Sequence, residues 1–453
     1  TLGDIVNYVN NLNMDTTHDT TTSATLVDGK LTIESNVSIT GTLLDKLGFE
    51  KQDVSTVAYE IKGTNKAHYS KSEGVTVTAS GFSTAVTTQS TSGTDKIYVS
   101  SLSDFVSGST YYVKSASDLN KLAELTNAGK NTSGVTFVLE NDVDLAGQQF
   151  VPIGTYNNRF KGNFYGNGHV IKNLTITDTS VLSDPFTNSS LGNSYRAGLF
   201  GDIYEAKLYD IGLENVNINL SIDGDDKVYA GALVGQDEHY SEINNCYSTG
   251  SVSTDCYAGG LVGLTWGASV SNSYSNVNVN GSIVGGLVAS STLIKISNSF
   301  ATGNVNGFTA GGLVGTVNSS TISNSFATGN VVSTQKAGGL LGEANTGNIT
   351  ISDSFATGSV TCTASQGGVV GITGSATTTV TNCGYSGSTG LDSGVTSGAT
   401  AMTDAQLKSS IEGLGISSAT VVSKTVDTTA ELTTTIKDLM GKGGSQTLTL
   451  TPT

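Results

Sequence analysis

The stretch TAGGLVGTVNSSTISNSFATGNV, from Thr309 to Val331, decides the fold because the chain returns to it again and again. Its core phrase ends at Gly201 (AGLFG), Gly235 (GALVG), Gly263 (GGLVG), Ala289 (GGLVA), Gly315 (GGLVG), Gly342 (GGLLG) and Gly371 (GGVVG), in steps of 34, 28, 26, 26, 27 and 29 residues. A second phrase follows in phase: NCYSTGSV from Asn245, NSYSNVNV from Asn272, NSFATGNV from Asn298 and Asn324, and DSFATGSV from Asp353. A unit of this size cannot bury its own apolar side, so it must stack on its neighbours. Each unit reads as short strands around Leu-Val, around the aromatic and around a Val, joined at Gly and Asn corners, with no room for a helix. The expected fold class is all-β, a right-handed parallel β-helix whose coils repeat every 4.8 Å or so, giving a rod on the order of 45 Å.

Stacking in register puts Leu233, Leu261, Leu287, Leu313 and Leu340 in one column and Tyr247, Tyr274, Phe300, Phe326 and Phe355 in another. Both are expected to point inward, where in-register rings gain contact beyond simple burial. Asn245, Asn272, Asn298 and Asn324 form a third column, readable as an amide ladder along the axis or as plain turn chemistry.

Upstream, SASDLNKLAELTNAGK (Ser115 to Lys130) has helical periodicity, with Ser117 as N-cap and Leu119, Leu122, Ala123 and Thr126 on one face. A solenoid end exposes unpaired strand edges, so this helix is the expected N-terminal cap. The expected organisation is a small module at 1–60, a Ser/Thr-rich β module at 61–110, the β-helix at 111–398 with its cap helix at 115–130, and a small C-terminal module at 399–453.

The GGLVG cores with NSFATGNV tails, preceded by FKGNFYGNGHVIKNLTI (Phe160 to Ile176), resemble the GLUG-motif repeats of bacterial surface proteins, adhesins and certain immunoglobulin A peptidase-type extracellular proteins. The resemblance covers most of 111–398 and implies a right-handed parallel β-helix at or beyond the cell surface. The flanks, Thr1 to Asn10, Ala24 to Ser35 and Ile39 to Phe49, with Thr433 to Lys442 near the far end, resemble the IN-type motif of flagellar hook, cap and flagellin proteins. That likeness implies a stalk of tandem modules.

Composition narrows the function. Charged residues are 13 % of the chain, Gly numbers 56 and Pro 3, which suits ordered β structure. The net charge of −16, with Arg159 and Arg196 as the only arginines, offers no basic footprint for nucleic acid. No run of about 18 apolar residues predicts a membrane span. The chain begins at Thr1 without a charged-then-apolar leader, as a processed protein or an excised fragment would. For the four cysteines, Cys246 with Cys256 and Cys362 with Cys383 are the local disulfide options, and half-buried free thiols the alternative.

Ser299, Ala301, Ser325 and Ala327 beside the aromatics do no acid–base work. The densest acids are Asp223, Asp225 and Asp226, with Asp237 and Glu238 nearby in sequence and no arginine read beside them. The segment SIDGDDK is similar to oxygen-rich calcium loops, so Asp223, Asp225 and Asp226 are the candidate metal ligands; no other cofactor is expected. Tyr156, Tyr195, Tyr204, Tyr240 and Trp266 crowd the first coils, where the longer repeat steps place extra loop, and are the candidate ligand-binding residues. The expected protein is therefore a non-catalytic, extracellular structural and adhesive module. Its expected partners are adjacent modules of the same chain and a glycan or protein on a host or neighbouring-cell surface. An extracellular polysaccharide lyase or hydrolase and a flagellar or filament component are the alternatives.

Overall fold

The computed structural model describes residues 22–27, 30–35, 57–70, 74–88, 96–182, 184–188, 192–222, 224–386, 398–414, 424–426 and 446–451. The chain divides into two compact units: Thr1–Ala67 with Val77–Lys96 and Ser417–Thr453, and His68–Thr76 with Ile97–Ile416.

The larger unit is a parallel β-solenoid. Ten strands, from Thr110–Val113 to Thr377–Thr381, lie in strict sequence order on one face, one per coil. A seven-stranded face runs from Phe200–Ile203 to Val370–Thr373, and a third, wide sheet carries the remaining strands. Register follows the repeated phrases: Val288 pairs with Val314 and Val314 with Leu341, while Tyr274 pairs with Phe300, Phe300 with Phe326 and Phe326 with Phe355.

All five leucines of the leucine column are fully buried in the lumen. The aromatic column behaves differently from expectation. Phe300, Phe326 and Phe355 are buried but stand apart from the main apolar cluster, which holds their chain neighbours Ala301, Ala327 and Ala356 instead. Strand alternation is the reason, since successive side chains point to opposite faces and the small Ala faces the lumen. The rings form a second stack beside it, with centroids 5.1, 4.8 and 4.7 Å apart and planes within 6° from Tyr247 through Tyr274 and Phe300 to Phe326.

Turn chemistry holds along the whole Asn column, and an amide bond along the axis joins one step of it. Asn245, Asn272, Asn298 and Asn324 have φ of 55, 51, 50 and 46°, the left-handed region that Asn tolerates better than most residues. Asn298 Nδ2 also donates to Asn272 Oδ1 at 3.3 Å, and Asn245 Nδ2 to Asp210 Oδ1 at 2.9 Å. The next residue in each unit makes a buried polar ladder, in which the backbone N–H groups of Cys246, Ser273, Ser299 and Ser325 donate to the hydroxyls of Ser273, Ser299, Ser325 and Ser354. Cys246 and Cys383 occupy the two ends of this column, so neither local disulfide forms and all four cysteines are free.

The cap helix α1 is Ala116–Asn127, and its N-cap is Ser115, not Ser117. Asp118 decides this: its buried carboxylate accepts from the N–H groups of Ser100 and Lys114 and from Ser115 Oγ, tying the first turn to the preceding strand. At the other end the ladder runs past the expected limit of 398. Ala399–Met402 pairs in register with Cys383–Ser386, and the helix α2 (Asp404–Gly413) buries Leu407 and Ile411. No core phrase marks that last strand, which is why the boundary fell short.

A six-stranded sheet, most of whose residues belong to the smaller unit, has the order Thr22–Val27, Lys30–Ser35, Gln446–Thr451, Gly74–Thr88, Val57–Ser70, Lys424–Val426. Strands from the expected 1–60, 61–110 and 399–453 modules thus share one sheet, because Gln446–Thr451 pairs antiparallel with Lys30–Ser35 and parallel with Gly74–Thr88. Of the IN-like segments, Ala24 to Ser35 falls on the hairpin; 1–10, 39–49 and 433–442 lie outside the described residues.

Candidate functional site

The corner phrase AGGLVG turns the chain between the wide sheet and the seven-stranded face, bringing the residue before it close to the residue after it. In R-AGLFG-D that pair is Arg196 and Asp202, and in K-AGGLLG-E it is Lys336 and Glu343. Register places both pairs in the same two columns: Arg196, Tyr229, Tyr257, Ile283, Thr309 and Lys336 on one side, Asp202, Gln236, Leu264, Ser290, Thr316 and Glu343 on the other.

At Asp202 the corner becomes a cluster. Arg159, carried in by the loop before Phe160, and Arg196 place their Nε atoms 3.2 Å from the two Asp202 oxygens, as ion pairs and not as aligned hydrogen bonds. Their Nη2 atoms lie 3.7 and 4.0 Å from Glu238 Oε1. Both guanidinium groups cover the Tyr156 ring, at 4.7 and 4.9 Å. Glu238 comes within reach because this coil has one residue more than its neighbours between Asp237 and the Tyr204, His239, Trp266 column; Gln236 Nε2 holds its carboxylate at 2.5 Å. Burial pushes the Asp202 carboxyl well above the ordinary carboxylate range, against the pull of Arg196 and Arg159. Burial likewise raises Asp237, which faces the lumen and accepts from Ser241 and Thr265 at 2.6 and 2.7 Å.

The opposite edge of the same face carries Tyr204, His239 and Trp266 on successive coils. Tyr204 stacks on His239 with centroids 5.1 Å apart and planes at 11°. Tyr240 (φ 44°) meets His239 edge-on at 4.3 Å, and its ring lies where a side chain at Gly267 would otherwise sit. Trp266 and Tyr240 remain 56 and 53 % exposed, and Lys161 stands over Tyr204 at 5.4 Å. Farther along the solenoid the same columns carry Thr292, Asn318 and Thr346 in place of rings.

Of the candidate ligand-binding residues, Tyr156, Tyr204, Tyr240 and Trp266 therefore gather on this face, while Tyr195 packs against the apolar core. No single sequence motif joins the arginines to this site, because three separate segments deliver Arg159, Asp202 and Glu238; the charges bracketing a core phrase are the one local signal. Of the candidate metal ligands, Asp223 lies outside the described residues. Asp226 accepts from Asn193 N and Nδ2 at 2.7 and 3.2 Å, so it clasps the inserted hairpin Phe186–Asn188/Gly192–Ala197. A separate groove of about 660 Å³ on the wide sheet is lined by Asn173, Thr175, Asn215, Gly250 and Ser251, and its amides serve a ladder of their own, Asn215 to Asn173 to Asp144.

The architecture defines the class as a parallel β-solenoid protein. One repeat unit, residues 254–280, matches the family model "The GLUG motif". No curated protein sequence matches the chain. Among solved structures it is similar to a candidate immunoglobulin A1 protease from Bacteroides ovatus, at 20 % identity and TM-score 0.41 over 67 % of this chain and 87 % of that one. It is also similar to an IgA1 protease, at 16 % identity and TM-score 0.34 over 72 % of this chain and 28 % of that one. At these scores neither likeness bears on what the chain does.

Proposed function

We propose that this chain is a non-catalytic extracellular module, a stiff spacer that attaches to a neighbouring surface through the face bounded by Tyr156, Arg196, Tyr204 and Trp266. The observation that carries this reading is that one face holds both arginines over Tyr156 at one edge and exposed Tyr240 and Trp266 at the other, where the Trp266 column farther along carries Thr292, Asn318 and Thr346. Binding surfaces combine aromatic area with a few placed polar groups, and insertions in repeat proteins tend to map to one such face. The GLUG motif and the solenoid support the extracellular setting. Catalysis is disfavoured because Asp202, the carboxyl closest to both arginines, is fully buried and out of reach of a substrate. The module as proposed works without a cofactor.

Attachment of the labelled full chain to bacterial and host cells tests the reading. The wild type is expected to adhere, and Tyr156→Ala with Trp266→Ala to lower retention several-fold without changing the circular dichroism spectrum. Equal retention of the variant would reject the face, and polysaccharide cleavage abolished by Glu238→Gln would reject the non-catalytic assignment.

A further inference from the structure

We infer that the ligand of this face is a neutral glycan, not a polyanion and not a protein; the inference rests on the attachment reading above. Three observations carry it. Exposed rings stand on adjacent coils: Tyr240, edge-on to His239 of the half-buried Tyr204–His239 stack and over Gly267, and Trp266 on the next coil. Tyr240, anchored in this way, costs little ordering entropy on binding, and the two exposed rings on adjacent coils offer aromatic surface suited to the C–H faces of sugar rings. The polar groups beside the strip, Glu238 and Glu205, are hydroxyl partners: carboxylates able to accept from sugar O–H groups. Finally, the site's two guanidinium groups are already matched by Asp202 and Glu238 within 4.0 Å, in a chain of net charge −16. A polyuronate or sulfated chain would find no arginine there without a carboxyl neighbour and would meet the opposing field of an acidic chain. A protein partner would normally need a broader apolar centre than this narrow strip provides.

The experiment is affinity electrophoresis and titration calorimetry of the full chain with soluble neutral polysaccharides (a β-glucan, a mannan, chitin oligomers), alongside polygalacturonate and heparin. At least one neutral polymer is expected to bind with little salt dependence, and Trp266→Ala and Tyr204→Ala each to weaken it about tenfold. Phe308→Ala, exposed on a strand of the wide sheet and not on this face, is expected to leave binding unchanged. Binding confined to polyanions and lost with salt, or neutral binding indifferent to both ring variants, would overturn the inference. If no polysaccharide binds while cell attachment still falls in the Trp266 variant, the glycan assignment fails and the attachment face stands. If attachment is also unmoved, both fail.

Discussion

Asp118 and Asp237 are both buried carboxyls, and their surroundings push them in opposite directions. Burial would raise Asp118, but hydrogen bonds from Ser100, Ser115 and Lys114 outweigh it and hold the carboxyl below its ordinary range. Its contribution to stability is therefore complete above about pH 3.9, the unfolded value, and is lost as pH falls through the lower folded value. Replacing it with Ala is expected to cost about 1 kcal/mol, read as a lower urea midpoint at neutral pH and little difference in strong acid. Asp237 is raised, so the sign reverses: its protonated form favours folding at low pH, and that contribution is lost as pH rises from about 3.9 toward the folded value. Asp237→Asn should flatten the fall in melting temperature between acid and neutral pH, and an unchanged profile would show that its neighbours set that slope.

The corner phrase is the element that both builds the solenoid and arranges the site. At Gly312 a Cβ would lie 2.1 Å from Gly339 O and 2.9 Å from Ala327 Cβ, so the coils approach too closely for any side chain. Gly312→Ala is expected to leave little soluble protein, whereas Leu313→Ala in the lumen should cost about 2–5 kcal/mol and Phe326→Ala in the ring stack about 3–5 kcal/mol by chemical denaturation. The two ion pairs that bracket the phrase should differ as well. Lys336 and Glu343 are partly exposed, and Lys336→Ala is expected to cost under about 1 kcal/mol. Arg196→Ala leaves Asp202 buried with only Arg159 beside it, and a loss of about 3 kcal/mol is expected. Equal losses at the two corners would mean that Asp202 folds uncharged.

For the solenoid as a whole, the ends matter as much as the repeats. Helix α1 closes one end through Leu119, Leu122, Ala123 and Leu125, and α2 shelters the last strands at the other. Removing 404–413 would expose the edge at Ala399–Met402, and the expected result is self-association seen by light scattering at unchanged secondary structure. What the sequence determined by itself was the repeat: a period of about 26 residues with Leu, ring, Gly and Asn in phase admits few packings other than coils stacked in register, because the same groups must meet at every level. The capping helix was legible for the same local reason. Tertiary structure alone decided which way the rings face, where the cysteines end their column, and that Arg159, Asp202 and Glu238 meet under Tyr156. Those outcomes depend on strand alternation, on one extra residue and on a loop folding back from an earlier coil, and contacts made across coils leave no periodic trace along the chain.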